Sequence, residues 1–235
     1  MRESIDYIFA RAPMQNEETS YPGVETQTET LTPAAPVRKR PKPGERRVQI
    51  LQALAAMLEQ PGAERVTTAA LAARLDVSEA ALYRHFASKA QMFEGLIDFI
   101  EQSVFTLVNQ ILEREGATGA QQAARILTLL VQFAERNPGM TRVMVGDALV
   151  FENERLQQRM NQFFDKIEAT LRQVLRGASA ADGSSTPTVD AQVRAAALTA
   201  FVVGQLQRFT RSGFRRAPSE HLEATIALIV DTSRS

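Results

Sequence analysis

The stretch "TTAALAARLDVSEAALYRHF", Thr67 to Phe86, decides the fold of this 235-residue chain. Thr67 and Thr68 can cap one short helix and Ser78 a second, because hydroxyl oxygens accept hydrogen bonds from the free N–H groups of a first helical turn. Two short helices joined by a tight break are the layout of a helix-turn-helix. The turn favours a left-handed residue, and Asp76 tolerates that conformation at a cost of ~1 kcal/mol. In this layout the first helix braces against the DNA backbone and the second enters the major groove.

The outward face of the second short helix suits contact with DNA. Ala80 and Ala81 let its backbone lie close to the base edges, and Arg84 can bond guanine or a phosphate. The hydroxyl of Tyr83 can donate to a phosphate. Lys89 stands at the start of the next helix, where its ammonium adds to the anion-favouring N-terminal dipole. The predicted DNA contacts are Arg46, Arg47, Thr67, Thr68, Ser78, Ala80, Ala81, Tyr83, Arg84, His85 and Lys89.

Structural roles for some of these residues stay open at the level of sequence. Tyr83 can equally be a half-buried packing aromatic, and His85 a core or cap residue. Lys89 can be an ordinary surface lysine. Thr67 and Thr68 are helix caps first, although a cap threonine can also bond a phosphate.

Helical periodicity runs through most of the chain after residue 45. An apolar stripe from Val48 to Leu58 marks the first helix, and Pro61-Gly62 ends it. Ser88 caps a fourth, longer helix that reaches at least Leu107. Further helical patterns cover 119–135, 139–150, 153–176, 189–212 and 219–231, with a flexible loop predicted at 177–188. Because the sequence shows no sustained strand alternation, the predicted fold is all-α.

The composition is that of a globular protein, with 44% hydrophobic and 23% charged residues. The longest apolar run, "ILTLLVQFA", is far shorter than the ~20 residues that cross a bilayer, so no membrane association is expected. The N-terminus lacks the basic-then-apolar order of a secretory signal, and Met14 is a candidate alternative start. The expected location is therefore the cytoplasm, on the nucleoid.

The sequence gives little support for catalysis. It contains two histidines and no cysteine, and it has no glycine-rich phosphate loop and no metal-ligand spacing. We therefore expect neither an enzyme, nor a metal site, nor a cofactor.

The charges are segregated along the chain, although the formal net charge is zero. Residues 1–35 hold two basic and six acidic side chains, a net of −4, whereas residues 36–90 hold ten basic and five acidic, a net of +5. A basic segment beside the helix-turn-helix suggests a local polyanion site. The predicted organisation is a disordered extension with a basic arm (1–44), a DNA-binding domain (45–104) and a helical dimerisation and partner-binding domain (105–235).

The stretch "TTAALAARLDVSEAALYRHFASKAQMFEGL" resembles the N-terminal domain of the TetR family of DNA-binding regulators, over roughly residues 45–104. Two later stretches, "ERNPGMTRVMVGDALVFENERLQQRMNQFFDKIEATLRQVLR" and "RSGFRRAP", are similar to members of that family that act in nucleoid occlusion. The resemblance implies a homodimer that binds palindromic sites in double-stranded chromosomal DNA. It also implies that the DNA-bound protein antagonises the tubulin-like division protein FtsZ.

The same resemblance implies a groove for the FtsZ C-terminal tail between the fourth and fifth helices. The matching positions are Phe99, Leu129, Arg136 and Asn137. Two positions depart from the family pattern, with Leu107 in place of an arginine and Gln132 in place of a glycine. Because the tail is acidic in many relatives, the missing arginine is expected to weaken or re-orient binding. Phe99 and Leu129 can also be read as simple core residues.

Wide apolar stripes on two C-terminal helices predict the dimer interface, which in the family is a four-helix bundle. The predicted dimerisation residues are Met160, Phe163, Phe164, Ile167, Leu171, Phe201, Leu206 and Phe209. A two-fold dimer places two recognition helices about one DNA turn apart, ~34–36 Å, and so reads a palindrome. The alternative is a ligand-responsive repressor on the same fold, but no polar–aromatic cluster indicates a pocket, so no small-molecule ligand is expected.

Overall fold

The computed structural model describes residues 44–60, 66–181 and 183–230, and this part of the chain is helical and contains no strand. Predictions for the N-terminal extension and for Pro61-Gly62 lie outside the described residues. The helices are α1 (Glu45–Leu58), α2 (Thr68–Arg74), α3 (Glu79–Tyr83), α4 (Lys89–Leu112), α5 (Gly119–Arg136), α6 (Pro138–Met144), a 3-10 helix (Asp147–Leu149), α7 (Glu154–Ala181), α8 (Pro187–Arg211) and α9 (Leu222–Val230).

Side-chain caps begin the helices of the DNA-binding half as the sequence predicts. The hydroxyl of Thr67 accepts from Ala70 N at 3.2 Å, and that of Ser78 accepts from Ala81 N at 3.3 Å. Ser88 caps α4 in the same way. Asp76 has a φ of 53°, which confirms the left-handed turn between α2 and α3. The caps of the helix-turn-helix are thus contacts that span only three residues.

One hydrophobic core runs through both halves of the chain. The 24-residue helix α4, about 36 Å long, connects them. Its first half packs against α1 and buries Phe93 and Leu96 in the core, and its second half enters the C-terminal body with Val104 and Val108. In that body α7 and α8 form the most extensive helix pair, and α5 packs against α7.

The structure corrects the predicted helix over 139–150. Helix α6 ends at Met144, and Gly146 turns the chain with a φ of 86° before the 3-10 helix begins. This left-handed φ favours glycine, and the end of the Gln157 side chain lies 2.5 Å from where a Cβ would stand. Gly146 therefore ends the helix early, and α7 packs against the 3-10 helix that follows.

The predicted loop over 177–188 is also partly wrong. Helix α7 continues to Ala181, and α8 begins at Pro187, so the connection is short. The reason is that Ser179 is buried, with its hydroxyl 3.3 Å from Nη1 of the buried Arg194. The small polar residues that resemble a linker in sequence therefore form the last packed turn of α7.

Candidate DNA-binding surface

The recognition helix α3 presents small residues outward. It spans only five residues, in which Leu82 is buried whereas Ala80 is exposed and Ala81 is half-buried. Tyr83 keeps 44% of its surface, and Arg84, directly after the helix, is exposed. Phe86 anchors the end of this segment in the core. The structure thus brings the predicted base-facing alanines, the phenol and the guanidinium together on one accessible face.

A hydroxyl–carboxylate bond joins the two helices of the motif. Thr68 donates to Glu79 Oε2 at 2.6 Å, which braces α2 against α3. A hydroxyl has a single proton to donate, so in this state Thr68 can only accept another bond. The Tyr83 hydroxyl lies 3.5 Å from Thr68 Oγ1, a long contact that holds the phenol loosely. Tyr83 is therefore available for a phosphate, and Thr68 is first of all a structural residue.

The two arginines at the start of α1 have contacts within the chain. Arg47 donates to the backbone carbonyl of His85 and its guanidinium stacks 4.1 Å from the centre of the Phe86 ring. Arg46 donates to the side chain of Gln49 on the same helix at 3.0 Å. Arg47 thus ties α1 to the end of the recognition segment, a role that the sequence did not reveal. The His85 side chain is half-buried, and the contact with Arg47 is made by its backbone.

Lys89, predicted to contact phosphate, already has an anionic partner in the structure. Its ammonium lies 2.5 Å from Glu152 Oε1, and it also lies 5.7 Å from the centre of the Phe93 ring. Glu152 belongs to the segment between the 3-10 helix and α7, in the C-terminal body. This ion pair joins residues 63 positions apart, so the sequence carries no local signal for it.

Further ion pairs continue along the contact between α4 and α7. Arg155 pairs with Glu94, and Arg159 pairs with Asp98 at 2.9 Å and with Glu101 at 2.6 Å. Burial acts to lower the pKa of Arg159, but hydrogen bonds and charge from the two carboxylates outweigh it and raise that pKa. We refer to the four pairs of Lys89, Arg155 and Arg159 with their carboxylates as the α4–α7 ladder. The ladder joins the helix that leaves the DNA-binding domain to the C-terminal body.

The residues predicted for the FtsZ tail do not line one groove. Leu129 and Gln132 line an open groove of about 520 Å³ between α5 and α9, and the exposed Arg136 lies one turn further along α5. Phe99 is half-buried and packs against the core. Asn137 is buried and donates its side-chain amide to the carbonyl of Phe133 at 2.8 Å, so as a surface contact it is wrong. Leu129 thus lines a groove that faces α9.

Most of the predicted dimerisation residues belong to the core of the single chain. Six of them are buried within one protomer, so they have almost no surface left for a partner: Met160, Phe163, Ile167, Leu171, Leu206 and Phe209. They lie on the inner faces of α7 and α8, so the single chain gives no support to their assignment as dimer contacts. Phe164 and Phe201 are half-buried and remain predicted contacts.

The sequence reading missed the outer apolar face of α8. Val189 and Val193 are 60% and 63% exposed, and with Ala197 and Phe201 they recur every four residues. Residues at that spacing lie on one side of a helix. The four-residue spacing is visible in the sequence. It does not stand out there because the inner face of α8 is also apolar, so the two apolar sets overlap in the sequence pattern. These four residues are the outer α8 stripe.

Two further structural findings concern the described residues. No helix among them has the length and hydropathy required to cross a membrane. The same part of the chain holds no cluster of three or more histidine or acidic side chains suited to a metal ion.

Comparison with known proteins matches both halves of the chain to known families. Residues 50–96 match the bacterial regulatory proteins of the tetR family, and residues 120–233 match the tetracyclin repressor-like C-terminal domain. Nucleoid occlusion factor SlmA of Vibrio vulnificus (strain YJ016) is 53% identical over 189 residues, which cover 80% of this chain and 95% of the relative. SlmA of Aliivibrio fischeri (strain MJ11) is 52% identical over 190 residues, covering 80% and 96%.

The chain belongs to the SlmA family. It is a TetR-type DNA-binding regulator, and its expected all-α, two-part fold is confirmed. The transcriptional regulator FadR from Bacillus subtilis has a TM-score of 0.62 at 15% identity, covering 78% of this chain and 97% of that chain. A TetR regulator from Legionella pneumophila has the same TM-score and identity, covering 80% and 97%. At such identity the solved structures establish the fold alone.

Proposed function

We propose that this protein is a nucleoid occlusion factor that binds palindromic chromosomal sites as a homodimer and, while bound, antagonises FtsZ assembly. Septum formation over unsegregated DNA is thereby blocked. The observation that carries the proposal is that similarity to the SlmA relatives runs through both the DNA-binding domain and the C-terminal body. The expected location is the cytoplasm, on the nucleoid.

The DNA-binding half of the proposal rests on the face of α3. Ala80 and Ala81 leave room for base edges, while Tyr83 and Arg84 are accessible for phosphate or guanine. Thr67 and Ser78 stand at the ends of α2 and α3, where backbone N–H groups also favour phosphate. A monomer would present only one such face, so reading a palindrome requires a two-fold dimer.

The outer α8 stripe is the surface we assign to dimerisation. Large aliphatic side chains that are more than half exposed in a single chain gain most from burial against an equivalent surface. Phe201 is the last residue of the stripe. Phe164 of α7 is the other half-buried residue that we predict at the interface. Pairing of α7 and α8 with their mates gives the expected four-helix arrangement.

The α5–α9 groove is the surface we assign to the FtsZ tail. About half of its wall is alanine, leucine, isoleucine and valine, and Arg125 and Glu223 both line it. Arg136 follows Gln132 by one turn and adds a second guanidinium at its edge. An apolar groove bordered by guanidinium groups suits a peptide that carries both apolar and acidic side chains. Gln132 places an amide in the wall where the family has glycine, which narrows the groove. Leu107 is half-buried and supplies no charge.

Genome-wide mapping of bound sites tests the proposed function. A nucleoid occlusion factor is expected to occupy many sites spread over the chromosome and to be sparse near the replication terminus. Occupancy of one or a few promoters, including its own, would favour an ordinary ligand-responsive repressor instead.

A variant in the groove tests the division-protein half separately. Arg136→Ala is expected to weaken binding of an FtsZ C-terminal tail peptide by about tenfold, as loss of an arginine from an interface commonly costs more than ~1 kcal/mol. Its affinity for DNA should stay the same because Arg136 lies on α5, away from α3. The matched control is Arg176→Ala, which removes an exposed arginine from α7. Equal loss of peptide and DNA binding would count against a separate groove.

A further inference from the structure

Lys89 pairs with the carboxylate of Glu152 inside the protein and is also a predicted contact of the DNA phosphate. It is the first residue of α4, where the helix dipole and the free N–H groups favour a phosphate. In the structure the ammonium is paired with Glu152, whose side chain is only 12% exposed, while that of Lys89 is 29% exposed. The backbone N–H of Glu152 donates to Leu149 O at 3.0 Å, which holds the carboxylate-bearing segment against the 3-10 helix.

Two anions cannot share this ammonium without repelling each other. A phosphate that bound the Lys89 ammonium would lie within a few ångströms of the Glu152 carboxylate, and like charges at that distance cost free energy. We infer that Glu152 is an internal competitor of the DNA phosphate: it pairs with Lys89 in the free protein and is displaced when DNA binds. Glu152 thereby lowers the DNA affinity. The inference rests on the proposed DNA-binding function.

The rest of the α4–α7 ladder determines how far the displacement extends. Arg155 and Arg159 pair with carboxylates further along α4, and these pairs do not involve a predicted DNA contact. They keep α4 and α7 in register when the first pair opens. The change is therefore confined to the segment that carries Glu152, whose neighbours Val150 and Phe151 are both 70% exposed.

Neutralising the competitor is the direct test. Glu152→Gln keeps the size of the side chain and removes its charge. We expect about two- to fivefold tighter binding of a palindromic duplex at fixed salt, the range set by a partly exposed ion pair. The matched control is Glu154→Gln, two residues away and exposed at the start of α7. An equal gain in the control would overturn the inference, because the effect would then come from net charge alone.

A double-mutant cycle ties the effect to Lys89. Lys89→Ala is expected to weaken binding to all sequences about equally and to reduce the salt slope by roughly one unit. With Lys89 absent, Glu152→Gln should change the affinity no more than the control does. A gain that persists in the Lys89→Ala background would overturn the inference.

A second variant covers the case in which Glu152→Gln does not fold, as judged by its far-UV circular dichroism. Glu152→Asp keeps the charge but shortens the reach of the carboxylate, which weakens its pair with Lys89. It should therefore also tighten DNA binding, by about twofold. An affinity equal to that of the wild type would again refute the competition. Failure of the wild-type protein to bind any palindromic site would instead refute the proposed function.

Discussion

Gly139 lies at a close approach between the DNA-binding domain and the C-terminal body. A Cβ built at this position, on α6, would lie 2.0 Å from the backbone oxygen of Ala55 on α1. A carbon and a carbonyl oxygen normally approach no closer than about 3.3 Å, so the two helices would have to separate by roughly 1.3 Å. The contacting atom is backbone, which no rotamer change can move.

Gly139→Ala is therefore expected to destabilise the protein. Forcing an extra methyl into a packed contact costs about 1–3 kcal/mol, and the upper part of that range applies because both sides are backbone. The gain in helix propensity from glycine to alanine, about 1 kcal/mol, offsets part of it. A net loss of about 2 kcal/mol corresponds to a fall in Tm of roughly 4–8 °C for a chain of this length.

Thermal unfolding followed by far-UV circular dichroism measures the effect. All variants must be compared at one protein concentration, since the Tm of a dimer depends on concentration. The matched control is Gly177→Ala in α7, where a new Cβ meets no atom within 4 Å. This control should raise stability by about 0.5–1 kcal/mol. A Gly139→Ala protein that melts within 2 °C of the wild type (roughly the effect of half a kcal/mol or less) would refute the close approach of α1 and α6.

Three further predictions concern DNA binding, dimerisation and capping. Tyr83→Phe should weaken DNA binding by about 0.5–1.5 kcal/mol in fluorescence anisotropy, with little change in Tm because its hydroxyl makes only a 3.5 Å contact; a collapse of the Tm would instead make Tyr83 structural. Val193→Asp places a charge on the outer α8 stripe and should yield monomers in sedimentation, whereas the control Val150→Asp should remain dimeric; a dimeric Val193→Asp protein would argue against that interface. Thr67→Ala removes the α2 cap and should cost about 1 kcal/mol in urea denaturation, and an unchanged midpoint would show that the cap contributes nothing.

Local sequence signals predicted the DNA-binding domain well. The caps at Thr67, Ser78 and Ser88 and the turn at Asp76 are all present in the structure. Each depends on groups within three or four residues of one another, so the sequence contains both partners of every such contact. The same reasoning brought Ala80 and its neighbours to one accessible face.

Long-range packing explains where the sequence reading was wrong. Beside Gly146, where α6 has ended, the end of the Gln157 side chain on α7 lies 2.5 Å from where a Cβ would stand. Asn137 is buried because the chain folds back at the junction of α5 and α6. Periodicity predicts neither the contact of Gln157 with Gly146 nor the burial of Asn137. It shows only that a residue faces something apolar.

The sequence by itself thus determined the all-α class, the helix-turn-helix and, through resemblance, the family. The tertiary structure alone decided which apolar face of α8 is left for a partner, and that Lys89 is paired with Glu152. Periodicity cannot separate two apolar faces of one helix, since both satisfy the same spacing. An ion pair between residues 63 positions apart depends on how α4 and α7 are packed, because that packing alone brings the two charges within bonding distance.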